Sequence, residues 1–186
     1  MERAVYLQAK HLQARGIGTV LVTRPATREG ARFPGDVVTV PYGSRRAGAH
    51  GRVLDRIVHY PAFSARVGEA AAHLVREGAV DIVDAQGLAA LGYARLRAGE
   101  PGLRAPLVMN PQGMEEHKAG GLKRLALTRL RALSREAARL ADRVVATDEA
   151  TRDDVPRLLR VPAAKVVVLP NGVDPEEIAR LTPADP

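Results

Sequence analysis

Cysteine is absent from the 186 residues, which excludes disulfides and thiolate metal sites together. Tryptophan is absent too, and four tyrosines with two phenylalanines make aromatics only 3% of the chain. A core must then rest on Leu, Val and Ala, and a nucleic-acid surface built on stacked bases lacks its aromatic partners. No apolar run reaches the ~20 residues of a membrane span, and the N-terminus carries no secretory pattern. The five histidines (His11, His50, His59, His73 and His117) show no metal spacing, so no metal or other cofactor is expected. No G-x-x-x-x-G-K-S/T run occurs, which removes a P-loop. Gly16 and Gly18 in "GIGTVL" lack a third glycine and precede an apolar run, whereas the dinucleotide fingerprint follows one; they read as a helix stop and turn. These absences fit a cytoplasmic protein.

What is present is an ordinary globular composition, 46% hydrophobic and 26% charged, at the length of one domain. The net charge of +7 is concentrated. Seven Lys and Arg between residues 118 and 139 face Glu136 alone, a net of +6, and residues 41–56 carry +3, which leaves −2 elsewhere.

Short β-branched runs occur at 19–24, 36–42, 81–86, 106–112, 143–147 and 165–169. Helical segments are expected at 1–15, 62–77, 88–98 and 122–140, and Pro156 should break or kink whatever helix precedes the last strand. This alternation predicts an α/β, Rossmann-like, mostly parallel sheet with helices on both faces. Such sheets bind ligands at the C-terminal ends of their strands. The residues to weigh are therefore Pro25, residues 42–46, Gln86, Gly87, residues 110–115, Thr147, Asp148 and residues 171–174.

In "NPQGMEEHK" an Asn-Pro step takes the chain out of the sheet, and Gly113 is expected to supply the turn. Gln112 offers both donor and acceptor, and Glu115 and Glu116 add carboxylates, for the hydroxyls of a sugar or polyol. An ordinary polar loop, with Glu115 and Glu116 favouring the next helix start, explains the same residues equally well. Counted at ~100° per residue, Arg124, Arg131 and Arg135 gather opposite a stripe of Leu122, Ala126, Leu130, Leu133, Ala137 and Leu140. That face is either solvated or a cationic patch for anionic lipid headgroups. The loop 43–52, "GSRRAGAHGR", is a phosphate or sugar holder or a plain surface loop.

The segment "ADRVVATDEATRDDVPRLLRVPAAKVVVLPNGVD" (residues 141–174) resembles the close of the N-terminal domain in glycosyltransferase family 4, retaining nucleotide-sugar-dependent enzymes of the GT-B fold. "ERAVYLQAKHLQARG", "DIVDAQG" and "PLVMNPQG" resemble earlier blocks of that domain, so the likeness covers nearly the whole chain. It implies a GT-B N-terminal domain over residues 1–174, lacking its first strand, and the start of an interdomain link over 175–186. That missing strand would lie between the runs at 19–24 and 81–86. It also implies an acceptor held by Gln86, Gly87, Asn110, Gln112, Gly113 and Glu115, with Thr147, Asn171, Gly172, Val173 and Asp174 at an interdomain cleft. Gln112 stands where many relatives place a histidine, and no catalytic residue is assigned. A second lobe with a Glu-x7-Glu motif would hold the nucleotide-sugar donor; the pair Glu69 and Glu77 here is a coincidence of spacing. The acceptor would be a sugar, a lipid or a small molecule. The basic patch would place the protein peripherally at the inner face of the membrane. A non-catalytic sugar- or phosphate-binding α/β module remains the alternative, with a nucleotide-binding domain of another enzyme third.

Overall fold

The computed structural model describes residues 2–25, 33–43 and 51–172. Helix α1 (Glu2–Gln13) is followed by strands β1 (Val20–Thr23) and β2 (Asp36–Thr39), then the long helix α2 (Gly51–Arg76). Strand β3 (Val83–Gln86), α3 (Ala90–Gly99), β4 (Leu107–Asn110), α4 (Glu115–Lys118), α5 (Gly121–Ala126) and α6 (Thr128–Leu140) follow. The described order closes with β5 (Arg143–Ala146), α7 (Glu149–Leu159) and β6 (Val166–Val168). Every described strand pairing is parallel. The pairings form two sheets, β1-β2 and β3-β4-β5-β6. Between them the described residues leave one edge of β1 and one edge of β3 without a strand partner, the place where the resemblance puts a further strand.

Each step along β3-β4-β5-β6 moves in one direction, so right-handed crossovers place α3, α6 and α7 in one layer. The packing agrees, with α2 against α3, α3 against α6 and α6 against α7. Leu107 and Met109 point into that layer and are almost fully buried, whereas Val108 and Asn110 alternate to the other face. The register puts Asp84 beside Val108 and Gln86 beside Asn110. Helix α1 reaches that second face, since Gln8 Nε2 donates to Asp84 Oδ2 at 2.7 Å. The core is mainly Leu, Val, Ala and Met, as the scarcity of aromatics requires, with Tyr93 fully buried among them.

Three helices differ from expectation. Helix α2 runs straight through Pro61 and starts eleven residues before position 62. A mid-helix proline forfeits one hydrogen bond and costs ~3 kcal/mol, but the packing around it is dense. Ser64 Oγ donates to Leu88 O at 2.8 Å and accepts from Gly92 N at 3.0 Å. Glycines let the two helix backbones touch there: a Cβ on Gly92 would lie 1.9 Å from Ser64 O. Helix α7 likewise keeps Pro156 inside it, because an Asp148–Thr151 capping box starts it and buried Val155 and Leu159 anchor it. The expected helix over 122–140 is instead two. The break falls at Leu127 (φ −90°, ψ 3°), which turns into the core while Ala126 is exposed. A counting of residues on one continuous face across 124–135 therefore fails.

At the N-terminal ends of β4 and β5 the chain is stapled. Asp142 accepts from Leu107 N at 2.7 Å and from Arg97, and Arg97 also donates to Leu140 O at 2.8 Å. Lys165 Nζ donates to Arg139 O and Ala141 O at 2.7 and 2.8 Å, placing a cation at the end of α6. Tyr93 Oη donates to Ala105 O at 2.8 Å. These contacts explain the Ala-Asp and Lys-Val blocks as structure.

Candidate functional site

The parallel strands bring their C-terminal ends to one rim. There β3 ends in Gln86, and Gly87 turns away with φ 57°. Beside it β4 ends in Asn110, paired with Gln86 in register. Asn110 Oδ1 accepts from Gln112 N at 3.1 Å, a local turn that starts the loop. The left-handed residues of this loop are Gln112 (φ 57°) and Met114 (φ 52°), which flank the glycine expected to make the turn. Each costs on the order of 1–3 kcal/mol. Met114, only 2% exposed, nails the strained loop into the core.

That backbone turns Gln112 toward β3, where its Nε2 donates to Gln86 Oε1. Gln86 Nε2 donates in turn to Asp84 Oδ1 at 3.3 Å. Four residues thus form one chain, Gln112 to Gln86 to Asp84, with Gln8 arriving from α1. The protein packed around Asp84 pushes its carboxyl above the ordinary range, opposed by the Gln8 hydrogen bond. Its accessible surface is nevertheless exposed, so water moderates that push. Asp84 and Gln8 were not among the sequence candidates. The two-residue spacing of Asp84 and Gln86 on one strand face was the available signal; nothing in the sequence pointed to Gln8.

Next to Gly87 stands Tyr60, whose Oη would lie 3.9 Å from a Cβ at that glycine. Tyr60 belongs to a cluster with Tyr42 and Phe63, with ring centroids 5.1 to 6.4 Å apart. Arg24, after β1, lies over Tyr42 at 5.8 Å. Of this corner only Tyr42 stood among the residues to weigh; Tyr60 and Phe63, neighbours on α2, were missed because they lie far from it in sequence.

Below the loop, α4 is latched to α6. Ser134 Oγ donates to Glu116 Oε1 at 2.8 Å and Arg131 Nε to Glu116 O at 2.6 Å. The His117 side chain is only 1% exposed, and its Nε2 makes no hydrogen bond among the described residues. Burial holds its pKa below the ordinary value; the Glu116 carboxylate opposes this, and Arg135 and Arg131 reinforce it.

The other candidates are scattered or lie outside the description. Gln86, Gly87, Asn110, Gln112 and Gly113 are together at the rim. Glu115 opens α4, but its side chain lies outside the described residues. Thr147 is half-buried after β5, its hydroxyl 3.4 Å from Asp148 Oδ2. Asn171 and Gly172 are exposed after β6, while Val173, Asp174 and residues 44–50 lie outside the described residues. Of the basic trio, Arg124 sits on α5. Arg131 and Arg135 sit on α6 and are turned back onto carbonyls, Arg135 Nε donating to Leu158 O at 3.0 Å. Burial lowers the proton affinity of Arg135, helped by Arg160 and Arg131. Among the described residues no helix is long and apolar enough to cross a membrane.

A parallel α/β sheet flanked by helices, with polar loops at its C-terminal rim, defines a Rossmann-like domain. The sequence model of glycosyltransferase family 4 matches residues 1–177, and the chain belongs to that family. Among curated proteins no sequence matches this one.

Proposed function

We propose that the chain is the acceptor-side lobe of a retaining glycosyltransferase, which moves a hexosyl group from a nucleotide sugar to an acceptor hydroxyl. Family membership supports the glycosyl-transfer chemistry. The observation that carries the acceptor side is the amide pair Gln86 and Gln112, presented at the rim by the end of β3 and the loop after its neighbour β4. Amides donate and accept at once, which suits hydroxyl groups. Gly87 and Gly113 line the same rim, with Asn110 bracing the loop and Glu115 beside it. Thr147 and residues 171–174 would border the cleft toward a second lobe that binds the nucleotide sugar. No metal is required by this reading, and nucleic acid is not a partner. A cytoplasmic location completes it, with Arg124, the outward member of the expected patch Arg124, Arg131 and Arg135, meeting an anionic membrane surface.

Catalysis between two lobes requires donor and acceptor to be held in register. The chain alone should therefore show no transfer with a panel of nucleotide sugars and acceptor alcohols; robust turnover would sink the two-lobe reading. In an enzyme carrying this lobe together with a donor-binding lobe, Gln112→Ala should cut transfer about tenfold, one lost polar contact. Donor affinity should hold. Unchanged steady-state constants would make the loop after β4 structural only.

A further inference from the structure

An ionised carboxylate accepts hydrogen bonds and donates none. Two amides end on Asp84: Gln8 Nε2 on Oδ2 at 2.7 Å and Gln86 Nε2 on Oδ1 at 3.3 Å. Their direction follows from that charge, because an amide oxygen turned toward the carboxylate would be repelled. With its NH2 group committed to Asp84, Gln86 must present Oε1 on its other side. There it accepts from Gln112 Nε2. Gln112 is the outer end of the chain, and among the described residues its Oε1 and one N–H are left without a partner.

We propose that Asp84 is a positioning residue that sets the amide polarity of Gln86 and, through it, of Gln112, so that the rim meets its ligand with an amide oxygen. The inference rests on the acceptor-side reading and deepens it. The rim then offers the Gln112 Oε1 as acceptor beside one remaining N–H, a pairing that suits a hydroxyl, while the carboxylate two links behind disfavours an anionic group. The ligand class is a neutral alcohol or polyol. Without Asp84 both amide orientations become accessible, and the selection relaxes. The left-handed backbone at Gln112 keeps its side chain in line with this chain.

The side-chain NH2 signals of Gln86 and Gln112 in a ¹⁵N-correlated NMR spectrum of the full chain test it. In wild type, both pairs should shift together as Asp84 is protonated, following the titration of its own carboxyl carbon. Asp84→Asn should abolish that titration and move the Gln112 side-chain signals while leaving the backbone spectrum of β4 in place. Asp84→Glu should restore the titration. Gln112 signals indifferent to the Asp84 titration in wild type would overturn the relay, whatever the variants do. A transfer loss in Gln112→Ala bears on the acceptor-side reading alone, so the two can fail separately.

Discussion

The two ends of the larger sheet are built on opposite principles. At the N-terminal ends of the strands, Asp142, Arg97, Lys165 and Tyr93 tie backbone groups and charges to one another. At the C-terminal rim, two residues that are not glycine hold left-handed backbone, a carboxyl is pushed up, and a buried imidazole nitrogen has no hydrogen-bond partner among the described residues. Loops over the strand ends of such folds carry function while the far end carries stability. The recognisable Ala-Asp and Lys-Val blocks belong to the stable end. A motif that identifies a family thus need not mark its site.

The largest effect should come from the stapled end. Burial pushes the Asp142 carboxyl up, but the Arg97 hydrogen bond, the Leu107 N–H and the charges of Arg97 and Lys165 outweigh this and hold it below the ordinary range. Its contribution is thus present above the unfolded carboxylate pKa and is lost as pH falls through the lowered folded value. Asp142→Ala should cost roughly 2 kcal/mol in a denaturant melt at neutral pH, discounted for the partial exposure of the pair. A loss below half of that would erase the contrast between the ends.

At the rim the same experiment should run the other way. Gln112→Gly removes the left-handed strain and should raise stability by up to about 1 kcal/mol. Acceptor affinity should fall with the amide. A destabilised Gln112→Gly would mean that the loop is held by the side chain, not strained around it.

His117 sharpens the comparison through pH. Its folded pKa lies below the ordinary 6.5, so the unfolded chain takes up the proton first. Stability is then lost as pH falls from about 6.5 through the folded value. His117→Leu should flatten that slope in melts between neutral and mildly acidic pH, and retain the fold. An unchanged slope would place the titration elsewhere.

The smallest effect concerns the basic surface. With Arg131 and Arg135 turned onto carbonyls, Arg124 is left as the outward cation of the three. Arg124→Gln should weaken binding to anionic vesicles about fivefold, near 1 kcal/mol per cation, and added salt should blunt the difference. Vesicle binding that ignores both would leave a solvated face.

The strands were legible because β-branched runs such as "VVV" at 166–168 and "VLVT" at 20–23 announce themselves locally, and their spacing carried the parallel α/β architecture. Gln86, Asn110 and Gln112 were legible as candidates because a parallel sheet makes every post-strand residue a rim residue. What local pattern could not decide is where local costs are overruled. Pro61 and Pro156 stay inside helices and Leu127 breaks one, because packing against neighbours distant in sequence outweighs propensity. The same holds for the site: Gln8, Asp84, Gln86 and Gln112 become one hydrogen-bonded chain only when α1, β3 and the loop after β4 meet. A hydrogen bond acts over about 3 Å, and no spacing along a chain of 186 residues specifies which amides will come within that reach.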